Sequence, residues 1–121
     1  MSSKAVISLA TGLEDAEKVT VAFLVAVGAV ETGRDTVMFL TKEAVRVATS
    51  RSGRAIACDG CPELSTLLHR YAAAGGKYFV CPICFGSRGL DEQELLENAE
   101  LNGTIPLWHW IGQDQAVTFS Y

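Results

Sequence analysis

Four cysteines stand in two pairs of equal spacing, Cys58-Asp-Gly-Cys61 and Cys81-Pro-Ile-Cys84, and the chemistry of this chain is expected on them, above all on Cys81 and Cys84. Two thiols three residues apart can share a metal ion, cycle between dithiol and disulfide, or serve as nucleophile and resolving partner in sulfur exchange. By spacing alone, two such pairs with nineteen residues between them match a four-thiolate zinc site built from Cys58, Cys61, Cys81 and Cys84. Context puts that reading second. Zinc ribbons carry their ligands on small β-hairpins, whereas an amphipathic helix and an apolar strand separate these pairs, and 121 residues can form a core without a metal.

A transfer reaction instead needs one exposed, activated thiolate at the mouth of a strand. Cys81 follows the apolar run Tyr78-Phe79-Val80 and precedes Gly86-Ser87-Arg88-Gly89, so Arg88 could bring positive charge and turn amides could hold a thiolate or persulfide anion. Cys84 is then the natural resolving thiol. A lone cysteine in a strand would be read as a small buried hydrophobe, and the two pairs argue against that reading here. His69 carries little weight, because no acidic residue stands at a spacing that would orient it; His109, inside Trp108-His109-Trp110, is the better histidine, and that triplet could line the cysteine pocket or an inter-subunit face, with core packing expected for at least one of its three side chains. Thr11-Gly12 resembles the start of a phosphate-cradling turn, but no complete nucleotide motif accompanies it.

The elements that must position these groups alternate between strand and helix. Lys4 to Ala10 reads as a buried strand ending at Thr11-Gly12. Thr11 and Glu14 form a capping-box pattern for a helix over about 14–31, which Gly33 stops; its middle is apolar nearly all round, so burial on two sides is expected. Asp35 to Thr41 is a second strand and Lys42 to Thr49 a helical turn, followed by a long loop over 50–60 with a possible short strand at Ala55 to Ala57. Pro62 opens a helix through Ala74, closed by Gly75-Gly76 before the strand Lys77 to Val80. Gly86 to Gly89 is then a turn, about Asp91 to Leu101 a helix with Glu92, Glu94, Glu97 and Glu100 on a solvated face, Thr104 to Ile111 a Pro-containing stretch, and Gln115 to Tyr121 a last strand. This order predicts a single α/β domain over 1–121 with a mostly parallel sheet, whose ligand site lies outside the carboxyl ends of the strands.

Bulk properties narrow the partners. A net charge of −4 without clustered Lys or Arg excludes an electrostatic footprint for nucleic acid or an anionic membrane. The longest apolar stretch, Val21 to Val30, is too short to span a bilayer. No secretory or lipidation motif opens the sequence, so a cytoplasmic location with reduced thiols is expected, favouring metal, redox or transfer chemistry over structural disulfides. At 49% hydrophobic and 20% charged, the chain is rich enough in apolar residues to suggest oligomerisation.

Taken together, the strand followed by Thr11-Gly-Leu-Glu-Asp-Ala-Glu-Lys18, the long apolar helix, Gly33-Arg-Asp-Thr-Val-Met-Phe-Leu-Thr41, Tyr78-Phe-Val-Cys81 with Arg88-Gly-Leu90, and Asp114-Gln-Ala-Val-Thr-Phe119 resemble the DsrE/DsrF-like sulfur-relay family over nearly the whole chain. The resemblance implies a flavodoxin-like three-layer α/β domain with about five strands, assembled into trimers or hexamers. It also implies that Cys81 accepts sulfane sulfur from one protein and passes it to another, as a persulfide carrier or sulfurtransferase with no cofactor. The Cys58-Asp-Gly-Cys61 pair departs from the family pattern. It leaves open a zinc-binding interaction module on four cysteines and a dithiol redox switch.

Overall fold

The computed structural model describes residues 3–50 and 59–121. Cys58 and the possible strand at 55–57 lie outside them. In chain order the elements are β1 (Lys4–Leu9), α1 (Ala16–Glu31), β2 (Asp35–Leu40), a 3-10 helix (Lys42–Ala48), α2 (Leu64–Ala73), β3 (Lys77–Val80), α3 (Pro82–Ser87), a short 3-10 turn (Glu92–Glu94), β4 (Ala99–Leu101), α4 (Thr104–Ile111) and β5 (Ala116–Ser120).

The five strands form one sheet in the order β4-β3-β2-β1-β5, and every neighbouring pair is parallel. From β1 to β4 the chain steps outward one strand at a time; the last connection then returns past three strands to place β5 on the far side of β1. Crossovers between parallel strands are right-handed, so reversing the direction of travel moves the connecting helix to the opposite face. The packing agrees. On one face Ala5, Ile7, Leu9, Met38, Leu40, Tyr78 and Val80 pack under α1, the long 3-10 helix, α2 and Phe85 of α3. On the other, Val6, Val37, Phe39 and Phe79 pack against Leu107, Trp110 and Ile111 of α4. Alternate strand residues supply the two cores, as the pleat requires, and the result is the expected three-layer α/β domain.

Helix α1 buries Val19, Ala22, Phe23, Ala26, Val27 and Val30 at helical spacing against the sheet. Its outer side leaves Val21 and Leu24 exposed. The expectation of two-sided burial is therefore met on the sheet side within this chain. Its start differs from the capping-box reading: Asp15 is the N-cap and accepts from the Lys18 N–H at 3.0 Å, while Glu14 accepts from the Gly12 N–H at 2.8 Å. Likewise α2 begins at Leu64 with Glu63 as its N-cap, two residues later than Pro62 suggested.

Three aromatic rings lock α1, α2 and β3 together: Tyr71 lies 6.2 Å from Phe23 and 5.1 Å from Tyr78, and its hydroxyl donates to the Lys77 carbonyl at 2.6 Å. Burial pushes the pKa of both tyrosine hydroxyls well above the ordinary value, so both stay neutral. Gly76 is dictated by this cluster, since a Cβ there would stand 2.4 Å from the Tyr71 ring.

The segment after Cys81 departs most from the sequence reading. Residues 82–87 form helix α3, at whose end the expected turn 86–89 falls, the expected helix over 91–101 is a 3-10 turn followed by edge strand β4, and the Pro-containing stretch 104–111 is helix α4. Glu92, Glu94, Glu97 and Glu100 therefore do not share a helix face. Pairing decides the matter: Tyr78↔Ala99 and Val80↔Leu101 extend the sheet by one strand and turn Ala99 and Leu101 toward the core, a gain that the local helix pattern cannot match.

Candidate functional site at the end of the third strand

In a parallel open sheet the carboxyl ends of the strands form one rim, and a crevice opens where neighbouring strands send their connections to opposite faces. Here that point lies between β3 and β4. The chain leaves β3 into α3 on one face and leaves β4 into α4 on the other. Cys81 stands at it. Its N–H donates to the Leu40 carbonyl of β2 at 2.9 Å, and the Asn102 N–H past the end of β4 donates to the Val80 carbonyl at 3.1 Å. Both neighbouring strands thus hold the residue in place. A Cβ built on Gly103 would come within 3.8 Å of Pro82, so the β4–α4 turn lies directly against the start of α3.

Cys81 is itself the N-cap of α3, with Pro82 in the first turn and the Cys81 carbonyl accepting from the Phe85 N–H at 3.0 Å. Pro82 has no N–H, and the first-turn N–H groups of Ile83 and Cys84 have no carbonyl one turn back to bond. Cys84 lies in that same first turn. Both Cys81 and Cys84 are free thiols and half-buried, packed against the edge of the main core, in which Phe85 is buried. The spacing 81–84 therefore places two half-buried thiols on one helical turn at a strand end.

Cys61 does not join them as a thiol, for it is disulfide-bonded. Cys58 is outside the described residues. Among the described residues no three His, Cys, Asp or Glu side chains cluster as a metal cage. In its disulfide form Cys61 has no thiolate to offer a cation.

Arg88 is beside the site but is not aimed at Cys81. Its Nε donates to Glu43 at 2.8 Å and its Nη1 to the Cys84 carbonyl at 3.1 Å, which ties the end of α3 to the long 3-10 helix. Arg46 donates to the other oxygen of Glu43 at 2.8 Å. These two guanidinium groups, Arg88 foremost, hold the Glu43 carboxyl below its ordinary value. The β1 loop closes on the same place: Gly12 sits so near Glu43 that a Cβ would stand 2.5 Å from the Glu43 carbonyl oxygen. Close approach to a neighbouring loop, rather than a phosphate, explains this glycine. Between Thr41 and Glu43, Lys42 takes a left-handed backbone conformation, φ 53, the only non-glycine positive φ among the described residues.

The aromatic triplet divides. Trp110 packs on Phe79 and on the Lys4 ammonium, whereas Trp108 is 66% exposed and His109 is exposed. Trp108, Ile105 and Ile83, the last 82% exposed, bring apolar side chains to the outer surfaces of α3 and α4. His69 lines a shallow cavity of about 280 Å³ with Ser65 and Glu97. The sequence spacing could not show this acidic neighbour, because 27 residues lie between it and the histidine and the expected helix would have turned it elsewhere. The Glu43–Arg88 tie was equally hidden, although Glu43 and Arg46 at i,i+3 were a visible pair.

No curated protein matches this chain. Among solved structures, the chain is similar to the ychN protein from E. coli, with a TM-score of 0.75 at 18% identity, covering 98% of this chain and 100% of that one. It is also similar to MTH1491, a protein of unknown function from Methanobacterium thermoautotrophicum, with a TM-score of 0.65 at 12% identity over the full length of both. These likenesses extend the α/β fold across the whole domain. A family model matches residues 4–119, and the chain belongs to the DsrE/DsrF-like family.

Proposed function

We propose that this protein is a sulfur-transfer or persulfide carrier in which Cys81 is the nucleophile and Cys84 the resolving or auxiliary thiol. The observation that carries the reading is the position of Cys81: a free thiol at the switch point of the sheet, at the N-cap of α3, fixed by backbone bonds to β2 and bordered by the turn after β4. Membership in a family linked to sulfur relay supports it. The Cys81 thiolate attacks the outer sulfur of a donor persulfide, the donor S–S bond breaks, and the donor thiolate leaves with the electron pair. An acceptor thiolate then removes that sulfur and restores Cys81. Where no acceptor is present, Cys84 attacks Cys81 Sγ, forms the Cys81–Cys84 disulfide and releases hydrosulfide. The reading includes a reducing cytoplasm, homo-oligomeric assembly, protein donors and acceptors, and no resident cofactor.

A dithiol switch is the second reading, favoured by the coexistence of free thiols at Cys81 and Cys84 with a disulfide at Cys61. Mass spectrometry of untagged protein purified without reductant, with metal analysis of the same sample, separates the readings. Extra sulfur on Cys81, lost in Cys81→Ser and kept in Cys58→Ser, is the expected result. One zinc per chain with no added sulfur would sink the proposal in favour of a four-cysteine zinc module, and a reversible Cys81–Cys84 disulfide with neither would favour the switch.

A further inference from the structure

We infer that Lys42 is a positioning residue that draws a negatively charged sulfur donor to Cys81, an assignment that rests on the sulfur-transfer reading of that cysteine. Three observations converge on it. The first is place. Leu40 is level with Val80 in the sheet and accepts from the Cys81 N–H, so Thr41 continues β2 beside Cys81, about 4.8 Å away by strand spacing, and Lys42 follows it on the same rim.

The second is backbone. A left-handed conformation is easy for glycine or asparagine and costly for lysine, and such a conformation persists only where its surroundings enforce it. Here they do: the Ala44 N–H donates to the Thr41 carbonyl, Gly12 presses on the Glu43 backbone, and Arg46 and Arg88 both hold the Glu43 carboxylate. Nothing in the packing of Lys42 itself calls for a long side chain, since it is exposed. Its charge is what a glycine there would lack.

The third is charge. On this rim Glu43 is shared by two arginines, and Glu14 is bonded to the Gly12 N–H. At the start of α1 the same rim carries Asp15, Glu17 and Lys18, of which Asp15 is used as the helix cap. Lys42 has no ion-pair partner among the described residues. Arg88 and Arg46 with Glu43 leave one positive charge and Lys42 adds a second, while Glu14, Asp15 and Glu17 with Lys18 offset both, so the attraction for an anion comes from the unpaired Lys42 ammonium on the rim and not from a net positive corner. Neutral donors gain nothing from it. With thiosulfate as donor, Cys81 Sγ attacks the outer sulfur, the S–S bond breaks and sulfite leaves with the electron pair, so no external oxidant is consumed.

The test compares alkylation of Cys81 by iodoacetate, an anion, and by iodoacetamide, its neutral counterpart, followed by mass spectrometry of the full chain. In Lys42→Asn, which suits the left-handed backbone and removes the charge, the iodoacetate rate should fall about two- to fivefold at low salt while the iodoacetamide rate stays unchanged. Lys42→Arg should keep the wild-type ratio, and added salt should erase the difference. An unchanged ratio in Lys42→Asn, or an equal fall in both rates, would overturn the assignment. Loading of Cys81 from thiosulfate and from glutathione persulfide tells a small inorganic anion from a peptide-borne persulfide: the arm that slows in Lys42→Asn names the donor class, and slowing in neither overturns the role. If neither donor loads the wild-type protein, the sulfur-transfer reading fails, while the alkylation ratio still decides the action of the charge.

Discussion

The Arg88 guanidinium donates to the Glu43 carboxylate at 2.8 Å across 45 residues of sequence, joining the end of the cysteine-bearing helix α3 to the 3-10 helix that follows β2. This pair, with Arg46 on the second carboxylate oxygen, fixes one wall of the rim on which Cys81 stands.

The tie should titrate. Glu43 is held below its ordinary value by hydrogen bonding to Arg88 first and Arg46 second, so the folded state favours the carboxylate more than the unfolded state does. Its contribution is present above the unfolded carboxylate value and is lost as pH falls through the folded one. Urea melts of wild type and Arg88→Gln should therefore differ near neutrality, with the variant less stable, and the gap should close as acid protonates the folded carboxylate. A gap that persists at acid pH would mean that Arg88 acts by packing and not by this charge pair.

The cysteines should separate function from stability. Cys81→Ser should abolish sulfur loading and change stability by less than about 1 kcal/mol, because the side chain is only half-buried. Phe85→Ala, four residues on and buried in the main core, should cost about 3–5 kcal/mol. Chemical denaturation paired with mass analysis of the loaded protein checks both.

The two core tyrosines should respond in opposite ways to loss of the hydroxyl. Tyr71→Phe removes the donor to the Lys77 carbonyl and should destabilise by about 1 kcal/mol. The Tyr78 hydroxyl is buried without a hydrogen-bond partner, so Tyr78→Phe should be neutral or stabilising by about 1 kcal/mol. Thermal melts of the two variants against wild type measure the contrast. A large loss in Tyr78→Phe would reveal a bridging water.

Glycine substitutions should report the close approaches. Gly76→Ala places a methyl 2.4 Å from the Tyr71 ring and Gly12→Ala places one 2.5 Å from the Glu43 carbonyl, and each should cost about 1–3 kcal/mol or more. Gly28→Ala, with open space at its Cβ inside α1, should be stabilising by about 0.5–1 kcal/mol. Equal melting points for Gly76→Ala and Gly28→Ala would contradict the packing described.

At the other end of the sheet, Lys4 should matter more than an ordinary surface lysine. Its ammonium donates to the carbonyls of Trp110 and Ile111 at the end of α4, pairs with Asp114 at 2.9 Å and lies 5.0 Å from the Trp110 ring. Lys4→Met keeps the apolar stem and removes these bonds to the helix terminus, and should cost about 1–2 kcal/mol in a denaturant melt.

What the sequence determined by itself was the alternation of apolar strands with helices, the rim position of Cys81 and the pairing of two thiols on one turn, because each follows from local pattern or spacing. Residues 5–7, 36–40 and 78–80 are continuous apolar or β-branched runs, so their strands were legible without any partner. Tertiary structure decided what depends on distant partners. Ala99–Leu101 became a strand only because β3 offered it an edge, and Cys81 came to lie at the switch point only because the chain reversed direction after β4. Arg88 met Glu43 instead of the thiol it seemed placed to serve, and Lys42 took a conformation that its own preferences disfavour. Long-range pairing and close packing outweigh local propensity at these places, and none of that is written in neighbouring residues.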